Sequence, residues 1–97
     1  MGLVINSQTV NKNWTYTEDE WKLIGNSVHK ENGWVNFNCE IHRVETIGGE
    51  QQESYIGSAN GYKNGNEPKI NIGDVPIRDI AEVSQAVENL VAALDAE

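Results

Sequence analysis

The stretch NGWVNFNCEIHRVETIGG, residues 32–49, decides the fold. Asn32-Gly33 and Gly48-Gly49 supply the positive φ values that tight two-residue reversals need. Between them apolar and polar residues alternate, as in a half-buried strand. A strand bracketed by two such reversals is the centre of an antiparallel meander. The side-chain period of a strand is two, so the reversals also fix which residues share a face. With both dipeptides as loop residues, Val28 opposes Phe37, Asn26 opposes Cys39 and Ile24 opposes Ile41. On the other side Ile56 opposes Ile41, Ser58 opposes Cys39 and Asn60 opposes Phe37. The expected core face therefore holds Ile24, Val28, Phe37, Cys39, Ile41 and Ile56. The expected opposite face holds Leu23, Gly25, Ser27 and His29, then Asn36, Asn38, Glu40 and His42, then Tyr55, Gly57, Ala59 and Gly61.

Working outward, Asn60 to Pro68 is rich in Gly, Asn and Pro and reads as a loop, followed by a short strand at Lys69 to Ile72. Asp74 is placed to cap a helix, with Pro76 tolerated in its first turn. Ile80, Val83, Val87, Leu90, Val91 and Leu94 recur at three-and-four spacing, which predicts an amphipathic helix from about Ile77 to Leu94. Its stripe should pack on the Phe37/Ile41 face, leaving Glu82 and Glu88 in solvent. Upstream, Thr17 and Glu20 fit a capping box and Trp21, Ile24 and Val28 fit helical spacing. Gly25-Asn26-Ser27 and the following reversal favour a strand from Trp21 to Lys30 instead. Residues 1–16 fit an N-terminal extension, an added edge strand or a partner-exchanged arm, ahead of one domain over 17–97. The fold class is α+β: an antiparallel meander of four to five strands with one long C-terminal helix on one face.

The chain has 97 residues and a net charge of −8. Such a field repels nucleic acid and anionic membranes, so nucleic acid is not the expected partner. A protein partner with a basic surface is. The negative excess sits in Glu18-Asp19-Glu20 and in the C-terminal segment, where Asp74, Asp79, Glu82, Glu88, Asp95 and Glu97 face Arg78 alone. A single cysteine, Cys39, permits neither an internal disulfide nor a thiolate metal cluster. With no signal core and no apolar run long enough to span a bilayer, a cytoplasmic location is expected.

No catalytic constellation stands out. His29 and His42 fall too far apart in the expected register to share a metal, and Cys39 reads as an inert buried thiol. The glycines match no phosphate-cradling pattern. Neither enzyme activity nor a cofactor is expected. The glycine-lined face implies that something approaches its backbone closely: a bulge, the N-terminal segment, a second subunit, or a small ligand held by Asn36, Asn38 and Tyr55. Trp34, just after a turn, is expected to be partly exposed and joins these residues, with Glu82 and Glu88, as a candidate partner-binding position.

Two tight hairpins, a further strand and a C-terminal helix, with the Gly33-Trp34 step and the strand-to-helix step Ile70-Asn71-Ile72-Gly73-Asp74, are similar to the single-stranded-DNA-binding coactivator fold of the positive-cofactor-4 type. The resemblance covers Trp21 to Leu94 and implies a homodimer formed through the helices. That family binds nucleic acid through basic and aromatic residues across its sheet. Here Lys22, His29, Lys30, Arg43 and Lys63 are interleaved with Glu31, Glu40, Glu45 and Glu53. The leading expectation is a small acidic non-enzymatic binding protein of the kind phages and mobile elements encode. It would inhibit a host protein, such as a component of antiviral defence. The alternatives are a single-stranded-nucleic-acid-binding homodimer and a nucleotide sponge.

Overall fold

Five strands and one helix follow one another in a computed structural model that describes Leu3, residues 9–31 and residues 33–96. The strands are β1 (Val10–Glu18), β2 (Trp21–Lys30), β3 (Gly33–Ile47), β4 (Glu50–Asn64) and β5 (Glu67–Gly73), and the helix is α1 (Ile80–Asp95). The sheet is antiparallel in the order β1-β2-β3-β4-β5, a simple meander with α1 across one face. The expected α+β class and the strand at Trp21 to Lys30 are both found. Val10 to Glu18 forms an edge strand of the same sheet. The expectations on Met1, Gly2 and the Val4-Ile5 segment lie outside the described residues.

The reversals are shorter and more numerous than expected. Asp19, at φ 52°, sits in the connection that pairs Glu18 with Trp21. Gly65, at φ 69°, sits in the one that pairs Asn64 with Glu67, so most of the expected Asn60–Pro68 loop is strand. Gly33 is already in β3, paired with Lys30 at φ 113°, which moves that reversal one residue earlier; Asn32 lies outside the described residues. Gly48 and Gly49 turn as expected, and Ile47 pairs with Glu50.

Two register shifts then change the faces. One lies between Val28 and His29, so that Ser27 opposes Phe37 and Leu23 opposes Ile41. The other lies between Ile41 and His42, so that Gly57, Ala59 and Gly61 oppose Ile41, Cys39 and Phe37. Each shift is a bulge that seats one extra residue and reverses the alternation beyond it. Phe37 and Ile41 do point at α1, as expected. The partners on that face are Trp21, Leu23, Ser27 and His29 rather than Ile24 and Val28, and the glycines lie beneath the helix rather than behind it. The close approach inferred from those glycines is real. A Cβ on Gly61 would sit 2.5 Å from the Phe37 ring and 2.7 Å from Ile70; one on Gly57 would sit 2.5 Å from the Gly73 carbonyl.

Val83, Ala86, Val87, Leu90 and Leu94 bury one side of α1 on Leu23, Phe37, Cys39, Ile41 and Ala59, each large aliphatic contributing about 1.5–3 kcal/mol. Both helix ends are tied to β3. At the start, Asp79 is the N-cap but leaves the helix amides to the field of its charge. Its carboxylate accepts a 2.6 Å bond from Arg43, whose guanidinium lies 4.8 Å over the Trp21 ring. Asp74, expected in the capping role, is instead at φ 65° in the preceding connection. At the far end Trp34 Nε1 donates to Asp95 Oδ1 at 2.7 Å, with Lys63 4.6 Å over the indole. Trp34 is 2% exposed, which corrects the expectation of a partly exposed ring.

Substituting Gly61→Ala should cost about 1–3 kcal/mol in denaturant unfolding, because the added methyl meets the Phe37 ring. Combining it with Phe37→Leu should be markedly non-additive, since the second change removes the clash. Charge reversal at Glu82 and Glu88, both exposed, should leave the melting temperature within about 1–2 °C.

Candidate binding face

The face of the sheet away from α1 is open. Tracing the pairings across it gives a single row with one asparagine from every strand: Asn13 opposes Asn26, Asn26 opposes Asn38, Asn38 opposes Asn60, and Asn60 opposes Asn71. All five are exposed. At roughly 4.8 Å between strands the row crosses about 19 Å of surface. Asn71 Nδ2 donates to Asn60 Oδ1 at 3.4 Å, the one side-chain bond within the row among the described residues. The neighbouring rows are Asn11, Val28, Asn36, Tyr62 and Lys69 on one side, and Thr15, Ile24, Glu40 and Ser58 on the other.

This placement is not what solubility asks for. Open faces of antiparallel sheets are ordinarily polar, but asparagine is depleted in strands, where threonine or lysine would solvate the surface with better propensity. Each carboxamide presents two donors and an acceptor, so the row can pair with amides, hydroxyls or bases without favouring one charge. The face is also balanced in charge. Lys22, Lys30 and Lys69 are set against Glu40, Glu53 and Glu67, so the −8 of the whole chain resides on α1, the turns and the β3–β4 ribbon.

One end of the face carries a polar cluster. Lys22 Nζ lies 2.9 Å from Glu53 Oε1, His42 Nδ1 lies 3.1 Å from Glu53 Oε2, and His42 Nε2 lies 3.2 Å from Glu40 Oε2. The Tyr55 ring meets the imidazole edge-on with centroids 5.8 Å apart. Lys22, first by its hydrogen bond and then by its charge, holds the Glu53 carboxyl below the usual range. The cluster has no activated nucleophile among the described residues. Cys39 lies on the other face, buried, its thiol pushed up to about 11 by loss of solvent. His29 is on the helix face beside Ser27 (2.6 Å) and His42 on the open face, so they are on opposite sides of the sheet. No group of His, Cys, Asp and Glu among the described residues is arranged to hold a metal. No described helix is long and apolar enough to cross a membrane.

The six expected positions thus separate. Asn36, Asn38 and Tyr55 share the open face, Glu82 and Glu88 stand on the solvent side of α1, and Trp34 is in the core. Glu88 also edges an apolar groove of about 370 Å³ between β5 and α1, lined by Ile70, Ile72, Val87 and Val91. Asn13, Asn26, Asn60 and Asn71 were missed because the unbulged register sets Asn26 against Cys39 and Asn60 against Phe37. Aligning the asparagines themselves would have revealed both bulges. Compared with known proteins, the chain matches no family model, no curated relative and no solved structure.

Replacing Lys22 with Met should raise the Glu53 titration midpoint toward the ordinary glutamate value of about 4.3, followed by carbon-detected NMR. Since the native value is depressed, the stabilisation from this pair is present above the ordinary range and fades as pH falls through the native midpoint. Cys39 should react with an alkylating reagent at pH 8 at least about 100-fold more slowly than the unfolded chain does.

Proposed function

We propose that this chain is a non-enzymatic protein-binding protein that lays the helix-free face of its sheet on a partner with a basic surface. It acts by covering that surface, so inhibition by occlusion is its mode. The observation that carries the reading is the exposed asparagine row. Five residues with poor strand propensity occupy one register position across a whole sheet, and a short-range recognition role supplies the gain that offsets the cost. The neutral face gives contact without charge selection, while the acidic remainder of the molecule supplies long-range attraction to a basic protein.

Two features favour a protein over single-stranded nucleic acid. The field of a −8 chain repels a polyphosphate, and two of the lysines on the face are already paired, Lys22 with Glu53 and Lys69 with Glu67 at 3.3 Å. A nucleotide-binding role would require a phosphate cradle, and the glycines nearest the face, Gly57 and Gly61, are filled from the helix side.

The test is affinity capture by the full chain from lysate of the cells that carry it, followed by titration of the captured protein. The double variant Asn38→Ala/Asn60→Ala should weaken binding at least about tenfold with an unchanged melting temperature. Glu82→Lys/Glu88→Lys should slow association at low salt and leave the dissociation rate unaltered. Binding that ignores the asparagine change, or a labelled oligonucleotide that binds in low salt, would reject the reading.

A further inference from the structure

The two edges of the sheet are built differently. At one, β5 is short and carries Pro68 and Lys69, features that discourage further strand addition. At the other, β1 runs nine residues, contains no proline, and pairs with β2 without a bulge from Val10 to Glu18. The outer backbone groups of such a strand are a template for another one.

The side chains of β1 on the helix face are, in order, Val10, Lys12, Trp14, Tyr16 and Glu18, opposite His29, Ser27, Gly25, Leu23 and Trp21 of β2. Trp14 and Tyr16 are half-buried. Each packs on the core, Trp14 donating from Nε1 to Ser27 Oγ at 3.0 Å, and each leaves part of its ring accessible in the edge strand. Glu18 accepts bonds from the Tyr16 hydroxyl (2.9 Å) and from Asn89 (2.7 Å), both on Oε1, so Oε2 keeps its acceptor capacity. Among the described residues Lys12 takes part in no ion pair.

From Lys12 to Glu18 this order is complementary to its own reverse, and Val10 lies beyond the paired segment. We propose that β1 pairs antiparallel with β1 of a second copy of this chain, about a twofold axis at Thr15, giving a continuous ten-stranded sheet. In that register Lys12 opposes the partner's Glu18, and Trp14 opposes the partner's Tyr16. The two ion pairs and two aromatic pairs repeat by symmetry, as an isologous contact requires. Cross-strand pairs of both kinds stabilise antiparallel ladders. Both helices fall on one side and both asparagine rows on the other, so the dimer doubles the open face without covering it. The contact lies at the sheet edge, which differs from the helix-mediated dimer that the coactivator resemblance implies, and it is independent of the proposed partner.

Sedimentation equilibrium of the full chain should give twice the 10.8 kDa chain mass at micromolar concentrations. Lys12→Glu, which sets two carboxylates against each other, should raise the dimer dissociation constant at least about tenfold, whereas Lys12→Arg should leave it unchanged. Facing residues on a twofold axis stand roughly 4.5–5.5 Å apart at Cα, within disulfide reach. Thr15→Cys should therefore cross-link to its twin under mild oxidation, far faster than Thr17→Cys, whose twin is displaced along the strand; buried Cys39 does not compete. A chain that stays monomeric throughout overturns the proposal. So does a dimer indifferent to Lys12→Glu, or cross-linking at Thr17 equal to that at Thr15.

Discussion

The Phe37 ring lies against the backbone of Gly61, and the arrangement of the sheet follows from that contact. β3 is the central strand, and its inward Phe37 ring needs more room than a neighbouring strand with side chains would leave. Gly61, with Ala59 and Gly57 on the same face, supplies that room, and Ile70 of β5 closes it from beyond. The close fit holds only in the bulged register, where the glycines rather than Ser58 and Asn60 turn inward, while Ile56, the extra residue of the bulge, still packs against the core as expected. The helix then closes the same core with Val83, Val87 and Leu90, while Asp79 with Arg43 and Asp95 with Trp34 fix its ends over β3. These two ties differ in character. Asp79 complements the positive end of the helix dipole, whereas Asp95 sits at the negative end and relies on the Trp34 donor and Lys63 nearby.

Because one face is committed to this packing, the other is left to chemistry of a different kind. The same bulges that bring glycine under the helix bring asparagine into line on the outside. In a strand the two faces are coupled: inward placement of Gly61 obliges outward placement of Asn60, and inward placement of Cys39 does the same for Asn38. The surface is therefore defined by the core. Past Arg43 and Ser54 the β3–β4 hairpin continues as a two-stranded ribbon, with Ile47 half-exposed at its tip and Glu45 and Glu50 along it. A ribbon of two strands is marginal by itself, and its continuity with the five-stranded sheet is what sustains it.

Much of this was legible in the residues. The meander, the terminal helix with its buried stripe, the inward direction of Phe37 and Ile41, the buried thiol of Cys39 and the exposure of Glu82 and Glu88 all follow from periodicity and turn chemistry. The bulges were legible only in the one-residue offset of the asparagines, because each adds a single residue with no composition of its own: nothing about Ile56 itself distinguishes an extra residue from a paired one. That small omission inverted the faces of β2 and β4 and hid the asparagine row. The helix start was displaced for another reason. Asp74 and Asp79 are equally good caps by residue type, and the choice between them depends on Arg43, a contact 36 positions away in the chain. Trp34 follows the same pattern, since its burial depends on Asp95 at the far end of α1.

The account is tested most directly by nuclear Overhauser effects from the Phe37 ring in the full chain. It predicts strong contacts to the Gly61 Hα protons and the Ile70 methyls, with none to the Asn60 side chain. Strong Phe37-to-Asn60 side-chain contacts, with Gly61 silent, would restore the unbulged register, bring the asparagines beneath the helix and contradict the assignment of both faces.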